Sequence, residues 1–164
     1  MIIRIRLLYF ILLSSFIFIS CLETAKDEQD IIKDQYRKEQ QEVMDAVNTI
    51  VADAESANLE GLSSIHLDSN KFTKFGPRNF ERQDVTQTNK SEVAFFGDDS
   101  VTNYKEEVRD LKVDVFGDVA IATYYRSVSY LLNNEEKNAS LRQTLVFVKT
   151  EDAWKIAHEH GTKQ

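Results

Sequence analysis

Between Ile32 and Ala54 the apolar residues Ile32, Tyr36, Val43, Val47, Ile50, Val51 and Ala54 fall at helical spacing, with Lys38, Glu39, Gln41, Glu42 and Asp45 mostly between them. That period gathers the apolar set on one stripe and predicts a long amphipathic helix over roughly 30–57. Asn58 can cap a second, short helix, LEGLSSIH, in which Leu59, Leu62 and Ile65 share a face. KFTKFG (71–76) alternates and predicts a short strand ended by Gly76-Pro77. Asn89 with Glu92 three residues on has the spacing of a capping box, and Gly97 supplies a stop, which predicts a third helix of about 89–96. Beyond Gly97 the pattern changes to strands. EVRDLKVDVFGDVAIATYYRSVSYLL, SLRQTLVFVK and WKIAHEH are rich in β-branched and aromatic residues. Gly117-Asp118, NNEEKNAS (133–140) and TEDA suit hairpin connections between them. Helices first and an antiparallel meander afterwards indicate an α+β domain, with helices against one face of a curved sheet.

Composition fits one domain: 164 residues, 42% hydrophobic and 29% charged, with a single proline and no linker-like stretch. The first twenty residues are set apart. Arg4 and Arg6 open an uncharged run, LLYFILLSSFIFIS, followed directly by Cys21. This is the layout of a signal peptide, and the run is shorter than the roughly 20 residues a spanning helix needs. Phe18-Ile19-Ser20-Cys21 resembles the lipobox of bacterial lipoproteins, with Phe18 where leucine is usual. Cys21 is the one cysteine of the chain, so it has no internal disulfide partner. The expectation is a signal peptide over 1–20, a lipidated Cys21 with a polar tether to residue 35, and a folded domain over 36–163. Each buried methylene of an acyl chain such as palmitate contributes about 0.8 kcal/mol, so two or three chains hold a protein at a membrane. Removing residues 1–20 takes away two arginines and no acids, leaving 18 basic against 27 acidic residues, a net charge of −9. Nucleic acid is therefore not an expected partner, because phosphate binding needs a basic stripe.

The order of elements, together with GDVAIATYY, the R-x-T of Arg142 and Thr144, and the ending WKIAHEHGT, resembles the nuclear transport factor 2-like (NTF2-like) superfamily. Within it the pattern is similar to SnoaL-like domains and to the association (hub) domain of calmodulin-dependent protein kinase. The resemblance covers about residues 36–163. It implies a cone in which a bent sheet wraps the long first helix and leaves a cavity at the wide end, and it implies sheet-to-sheet homodimers. It does not fix an activity, since the fold hosts enzymes and oligomerisation modules alike.

Strand alternation puts Ala122, Tyr124, Arg126, Val128 and Tyr130 on one face and Thr123, Tyr125, Ser127 and Ser129 on the other. Arginines line the hub pocket. The resemblance places Arg126 on one of them and Leu145 and Gly161 on two others, so the full anion cradle is missing. Ligand-binding roles are expected for Arg126, Tyr124, Tyr130 and His160. Arg142 and Thr144 are in the opposite phase from Leu145 and are expected on the outer sheet. His158 and His160 share nominal phase with Trp154 and Ile156, while Glu159 points the other way; the two histidines are expected to be structural or interface residues, with one of them at the pocket rim. An H-x-H pair supplies two of the three or four ligands zinc needs, so no metal and no cofactor are expected. His66 reads as a C-terminal cation partner of its helix or a satisfied surface residue. For acid–base catalysis, Asp45, Glu55 and Asp114 are open alternatives as the acid. The expected function is a membrane-anchored envelope lipoprotein, dimeric, that binds a small ligand or a partner protein without catalysis. The alternative is an enzyme of the SnoaL or ketosteroid isomerase kind, moving a proton beside a carbonyl.

Overall fold

The computed structural model describes residues 30–77, 79 and 81–164; the expected signal peptide, Cys21 and most of the tether lie outside these residues. Helix α1 runs Arg37–Glu55 and buries Val43, Val47 and Ala54, the stripe that the apolar period predicts. It begins later than the pattern implies. Tyr36 sits at φ 43° in the left-handed region, breaks the helical path, and packs its ring against the core. Helix α2 (Leu59–Ser64) is capped by Asn58, whose side chain accepts the Gly61 N–H.

Helix α3 (Val85–Phe96) starts before the predicted 89 because a different pair closes it. Asp84 Oδ1 accepts the Gln87 N–H at 2.8 Å and Gln87 Oε1 accepts the Asp84 N–H at 3.0 Å, a full capping box. Asn89 is thereby an interior residue, free to bond elsewhere.

Five strands form one sheet in the order β1-β5-β4-β3-β2: β1 (Thr73–Phe75), β2 (Val101–Phe116), β3 (Val119–Leu132), β4 (Glu135–Lys149) and β5 (Trp154–Lys163). Strand β1 pairs parallel to β5 and the rest are antiparallel. The β2–β3 turn uses Gly117 at φ 66°. The β3–β4 turn is tighter than the polar run suggests. Asn133 and Asn134 both take left-handed φ, 52° and 66°, and make a two-residue hairpin, so Glu135 to Ser140 belong to β4. The edge strand β2 carries irregularities at Asn103 and Asp110, with φ 53° and 54°, and several charged residues. Such bulges and charges discourage pairing with a foreign strand.

Val43 and Val47 of α1 pack against Val113, Ala122, Leu145, Phe147 and Ile156 of the sheet, all buried. At the start of β5, Trp154 Nε1 donates to Glu42 Oε2 at 3.0 Å and fastens the sheet to α1. A second buried cluster, Ala54, Leu62, Tyr104, Val128, Tyr130 and Leu141, lies toward the C-terminal end of α1.

One irregularity decides which residues of β5 face inward. Val146 pairs with His158 but Phe147 with Ile156, so Ala157 is an extra residue, a β-bulge. It reverses the alternation. Trp154 and Ile156 point to the core before the bulge, and Glu159 and Gly161 do so after it. This corrects the expectation from simple alternation, in which the two histidines followed Ile156 inward and Glu159 faced out.

Candidate ligand cavity

Beyond the second cluster the sheet and the helices leave a cavity of about 680 Å³. Ile50 and Ala54 of α1, Leu62 of α2, Phe95 and Phe96 of α3, and the inner faces of β2 to β5 surround it. Its aromatic wall is ordered edge to face. Phe95 lies 5.2 Å from Tyr130 and Phe96 lies 5.1 Å from Tyr104, centroid to centroid. A volume of this size and a largely apolar lining with a few polar groups suit a small organic molecule.

Strand phase places Tyr124, Arg126, Val128 and Tyr130 on the cavity wall, as the alternation predicts. Arg126 donates from Nη2 to Glu106 Oε2 at 2.6 Å and to the Tyr104 hydroxyl at 3.0 Å, and Tyr104 donates to the same Glu106 oxygen at 2.8 Å. The guanidinium side chain is 21% exposed, whereas that of Glu106 is 3% exposed. The acid is thus the more deeply buried member of the pair. Among the described residues, Nε of Arg126 is buried without a hydrogen-bond partner. Burial opposes the charge on Arg126, but Glu106 outweighs it and raises the guanidinium above its ordinary value. Burial also pushes the Tyr104 and Tyr124 hydroxyls well above the usual phenol range, so both stay protonated donors. Only charges at a distance and burial act on the Tyr124 hydroxyl, with no hydrogen bond to it from the described residues.

A second polar cluster lines the same cavity. Lys74 Nζ on β1 lies 3.0 Å from Glu92 Oε1 on α3 and 3.1 Å from Glu159 Oε2 on β5. His66 Nε2 is 3.8 Å from each of the same two carboxylates, and its Nδ1 bonds Asn89 Oδ1 at 2.8 Å. The chain reaches this arrangement because residues 65–67 bridge to Ile156, immediately before the bulge that turns Glu159 inward. Burial works against ionising Glu159, but Lys74 and His66 overcome it and hold the carboxyl well below the usual range. Burial likewise works against charging His66, and the two carboxylates more than offset it, so the imidazole is raised. Gln143, buried on β4, donates to Glu159 Oε1 at 3.1 Å and completes its shell. His66, Glu92 and Glu159 bring three ligand atoms within 4.8 Å of one another. The Lys74 ammonium already contacts both carboxylates, where a divalent ion would have to sit, so the donor set is occupied by an internal cation.

Several sequence expectations fall elsewhere. His160 is exposed on the outer face, so it is not at the cavity; the Ala157 bulge is the reason. His158 is on that face too, bonded through Nδ1 to Thr73 Oγ1 at 2.8 Å, and both imidazoles pack edge to face with Phe75 at 6.1 Å. His66 is neither a surface residue nor a simple helix-end cation but is 5% exposed within the cavity cluster. Asp45, Glu55 and Asp114 do not line the cavity. Asp45 accepts from Gln41, Glu55 accepts the Glu106 N–H and binds Lys105, and Asp114 pairs with Lys112. The acids that do line it are Glu92, Glu106, Glu136 and Glu159. Glu92 was detectable, since Thr88, Glu92 and Phe95 follow helical spacing. Glu106 follows Tyr104 in strand phase, whereas Glu159 is hidden by the bulge. Arg142 and Thr144 stand on the outer face beside Tyr125 and His160, as their phase predicts.

A sequence profile described as SnoaL-like domain matches residues 43–162. The chain belongs to the SnoaL-like family. Its architecture is the NTF2-like cone, with a curved five-stranded sheet around α1. Among solved structures, an NTF2-like family protein from Streptomyces avermitilis, proposed to be a dehydratase, has TM-score 0.70 at 18% identity, covering 77% of this chain and 96% of that one. An NTF2-like superfamily protein from Salmonella enterica has TM-score 0.66 at 17% identity, covering 76% and 89%. A CaMKII hub from S. rosetta has TM-score 0.63 at 22% identity, covering 76% and 96%. At these identities the likeness establishes the fold. No individually curated protein matches the chain.

Proposed function

We propose that this SnoaL-like domain is the ligand-binding part of a dimeric lipoprotein of the bacterial envelope, held at a membrane through Cys21, and that it binds a small molecule without transforming it. The observation that carries the reading is the state of the cavity's ionised groups. Glu106 faces Arg126, while Glu92 and Glu159 face Lys74 and His66. A general acid or base has to be held near its working pH with its proton free to move. Glu159 is held far from that condition, and the tyrosines are locked as donors. What the cavity offers instead is an apolar chamber with Tyr124 and Arg126 as fixed donors on its floor.

The anchoring half of the proposal rests on the Phe18-Ile19-Ser20-Cys21 pattern that follows the apolar run. Ile31 lies against the Gly117 turn, beside the N-terminal end of α1, whereas Ile50 and Ala54 at the cavity belong to its other half. No helix among the described residues is long and apolar enough to cross a membrane. The outer face of the sheet, with Tyr125, Phe75 and Val119 each more than a third exposed, supplies the surface for dimerisation.

Two measurements test the reading. Native mass spectrometry of the protein purified from its own membranes should show a bound small molecule at one per domain, and a cavity that is empty across preparations refutes the ligand role. A Cys21→Ser variant should leave the membrane fraction, and continued partitioning with membranes refutes the lipid anchor.

A second reading has one observation in its favour. His66 is buried in the cavity with Nδ1 fixed by Asn89 and Nε2 turned to two carboxylates, a placement that also suits a proton shuttle. Under that reading the protein is an acid–base enzyme acting next to a carbonyl. Exchange of the methyl protons of 2-acetylnaphthalene in D2O, faster than in buffer and abolished by His66→Gln, would favour it over pure binding.

A further inference from the structure

We infer that Glu106 sets the charge preference of the cavity: it neutralises Arg126 from behind, so the Tyr124–Arg126 floor is a site for a neutral oxygen acceptor, a ketone or amide carbonyl, rather than for an anion. The inference rests on the ligand-binding reading above and narrows it to a chemical class. Tyr124 and Arg126 are two residues apart on β3 and so point to the same side. Both line the cavity. The guanidinium is partly open to that space, but its Nη2 is spent on a carboxylate at 2.6 Å whose own side chain is 3% exposed. The Tyr104 hydroxyl donates to the same carboxylate and reinforces the lock.

Held by these two bonds and 3% exposed, the Glu106 carboxylate stays beside the guanidinium, out of reach of water, when a ligand enters. A carboxylate brought to Arg126 would meet the attraction of the guanidinium and the repulsion of a fixed acid just behind it, at distances that differ by only a few ångströms. It would also surrender its hydration in an apolar, aromatic chamber. A carbonyl oxygen loses far less hydration and still takes the hydrogen bonds that Tyr124 and Arg126 offer. The second cluster does not change the balance, since Lys74 and His66 face Glu92 and Glu159 and leave no uncompensated cation there. The flat rings of Phe95, Phe96, Tyr104 and Tyr130 favour a planar body on the ligand.

The test uses two probes with the same ring system, 2-acetylnaphthalene and 2-naphthoate, displacing the neutral dye N-phenyl-1-naphthylamine. The strand pairs and both buried clusters of the described residues lie within Ile31–Gln164, so residues 22–164 retain them all and spare the assay from detergent. In the unsubstituted protein the ketone should displace the dye at a concentration at least about tenfold below that of the carboxylate. In Glu106→Gln, which frees the guanidinium charge, the ratio should fall by about tenfold or more through a gain in naphthoate affinity. A general aversion of the chamber to charge would leave that ratio the same in both proteins, which would overturn the role of Glu106. Equal or tighter binding of naphthoate by the unsubstituted protein overturns the inference without recourse to any variant. Entry of the dye with no displacement by either probe overturns the acceptor site while the ligand cavity stands. Failure of the dye to enter overturns the ligand reading itself and the inference with it.

Discussion

Lys74 is the cation on which the second cavity cluster depends, and its replacement by Met tests the electrostatic account directly. Met keeps the apolar stem and removes the ammonium that lies 3.0 Å from Glu92 and 3.1 Å from Glu159. The side chains of Lys74, Glu92 and Glu159 are 15%, 19% and 13% exposed, so the cluster is closer to a buried ion pair than to a surface one. Breaking a buried pair by removing one member costs 3–5 kcal/mol, and the residual exposure argues for the lower end, about 3 kcal/mol. The sign with pH follows from Glu159. Its carboxyl is held below the ordinary value of 4.5, so the stability it contributes is complete above that value and is lost as pH falls through the folded one. In Lys74→Met the Glu159 carboxylate loses its main counter-charge and takes up its proton at higher pH than in the parent. The loss should therefore be close to full from about pH 7.5 down to about pH 4.5 and fade only below that, as pH falls through the folded value of Glu159. His66, raised by the same carboxylates, stays charged over the lower part of this range in both proteins and does not reverse the trend. Urea unfolding followed by the fluorescence of Trp154, the one tryptophan and a buried one, reads both numbers. A loss that falls by half or more between these two pH values, or one under about 1 kcal/mol at neutral pH, would show that the cluster is not the coupled unit described.

Asp84→Ala should lower stability by about 1 kcal/mol through loss of the cap of α3, while Asn89→Ala should leave that helix intact and act on His66, visible as a change in its titration by NMR. Tyr125→Glu places a charge on the outer sheet face and should convert the proposed dimer to a monomer in sedimentation without altering the urea midpoint of the monomer; a dimer that persists assigns the interface to another face.

The period of apolar residues and the turn chemistry were enough to outline the elements, because each depends on neighbours in the chain, while the motifs GDVAIATYY, R-x-T and WKIAHEHGT carried the resemblance to the family. The stripe of α1, the Asn58 cap, the Gly97 stop and the inward phase of Tyr124, Arg126 and Tyr130 are all local regularities that packing then follows. Boundaries moved where local signals competed. Two capping boxes could be written for α3, and Asp84 with Gln87 prevailed. Two asparagines, both tolerant of left-handed φ, shortened a loop that composition alone left broad.

The sequence by itself thus determined the order of elements, the curved sheet around one amphipathic helix, and the residues that β3 turns toward the interior. Tertiary structure alone decided the chemistry of the cavity. One unpaired residue, Ala157, exchanges the faces of everything after it on β5, sending His158 and His160 outward and Glu159 inward. Lys74, His66 and Glu92 then gather on Glu159 from three separate elements, and Glu106 reaches Arg126 across a strand pair. The physical reason is the same in each case. Alternation along a strand is fixed by covalent geometry and can be read locally, whereas a bulge and an ion-pair partner are chosen by what the rest of the fold brings alongside.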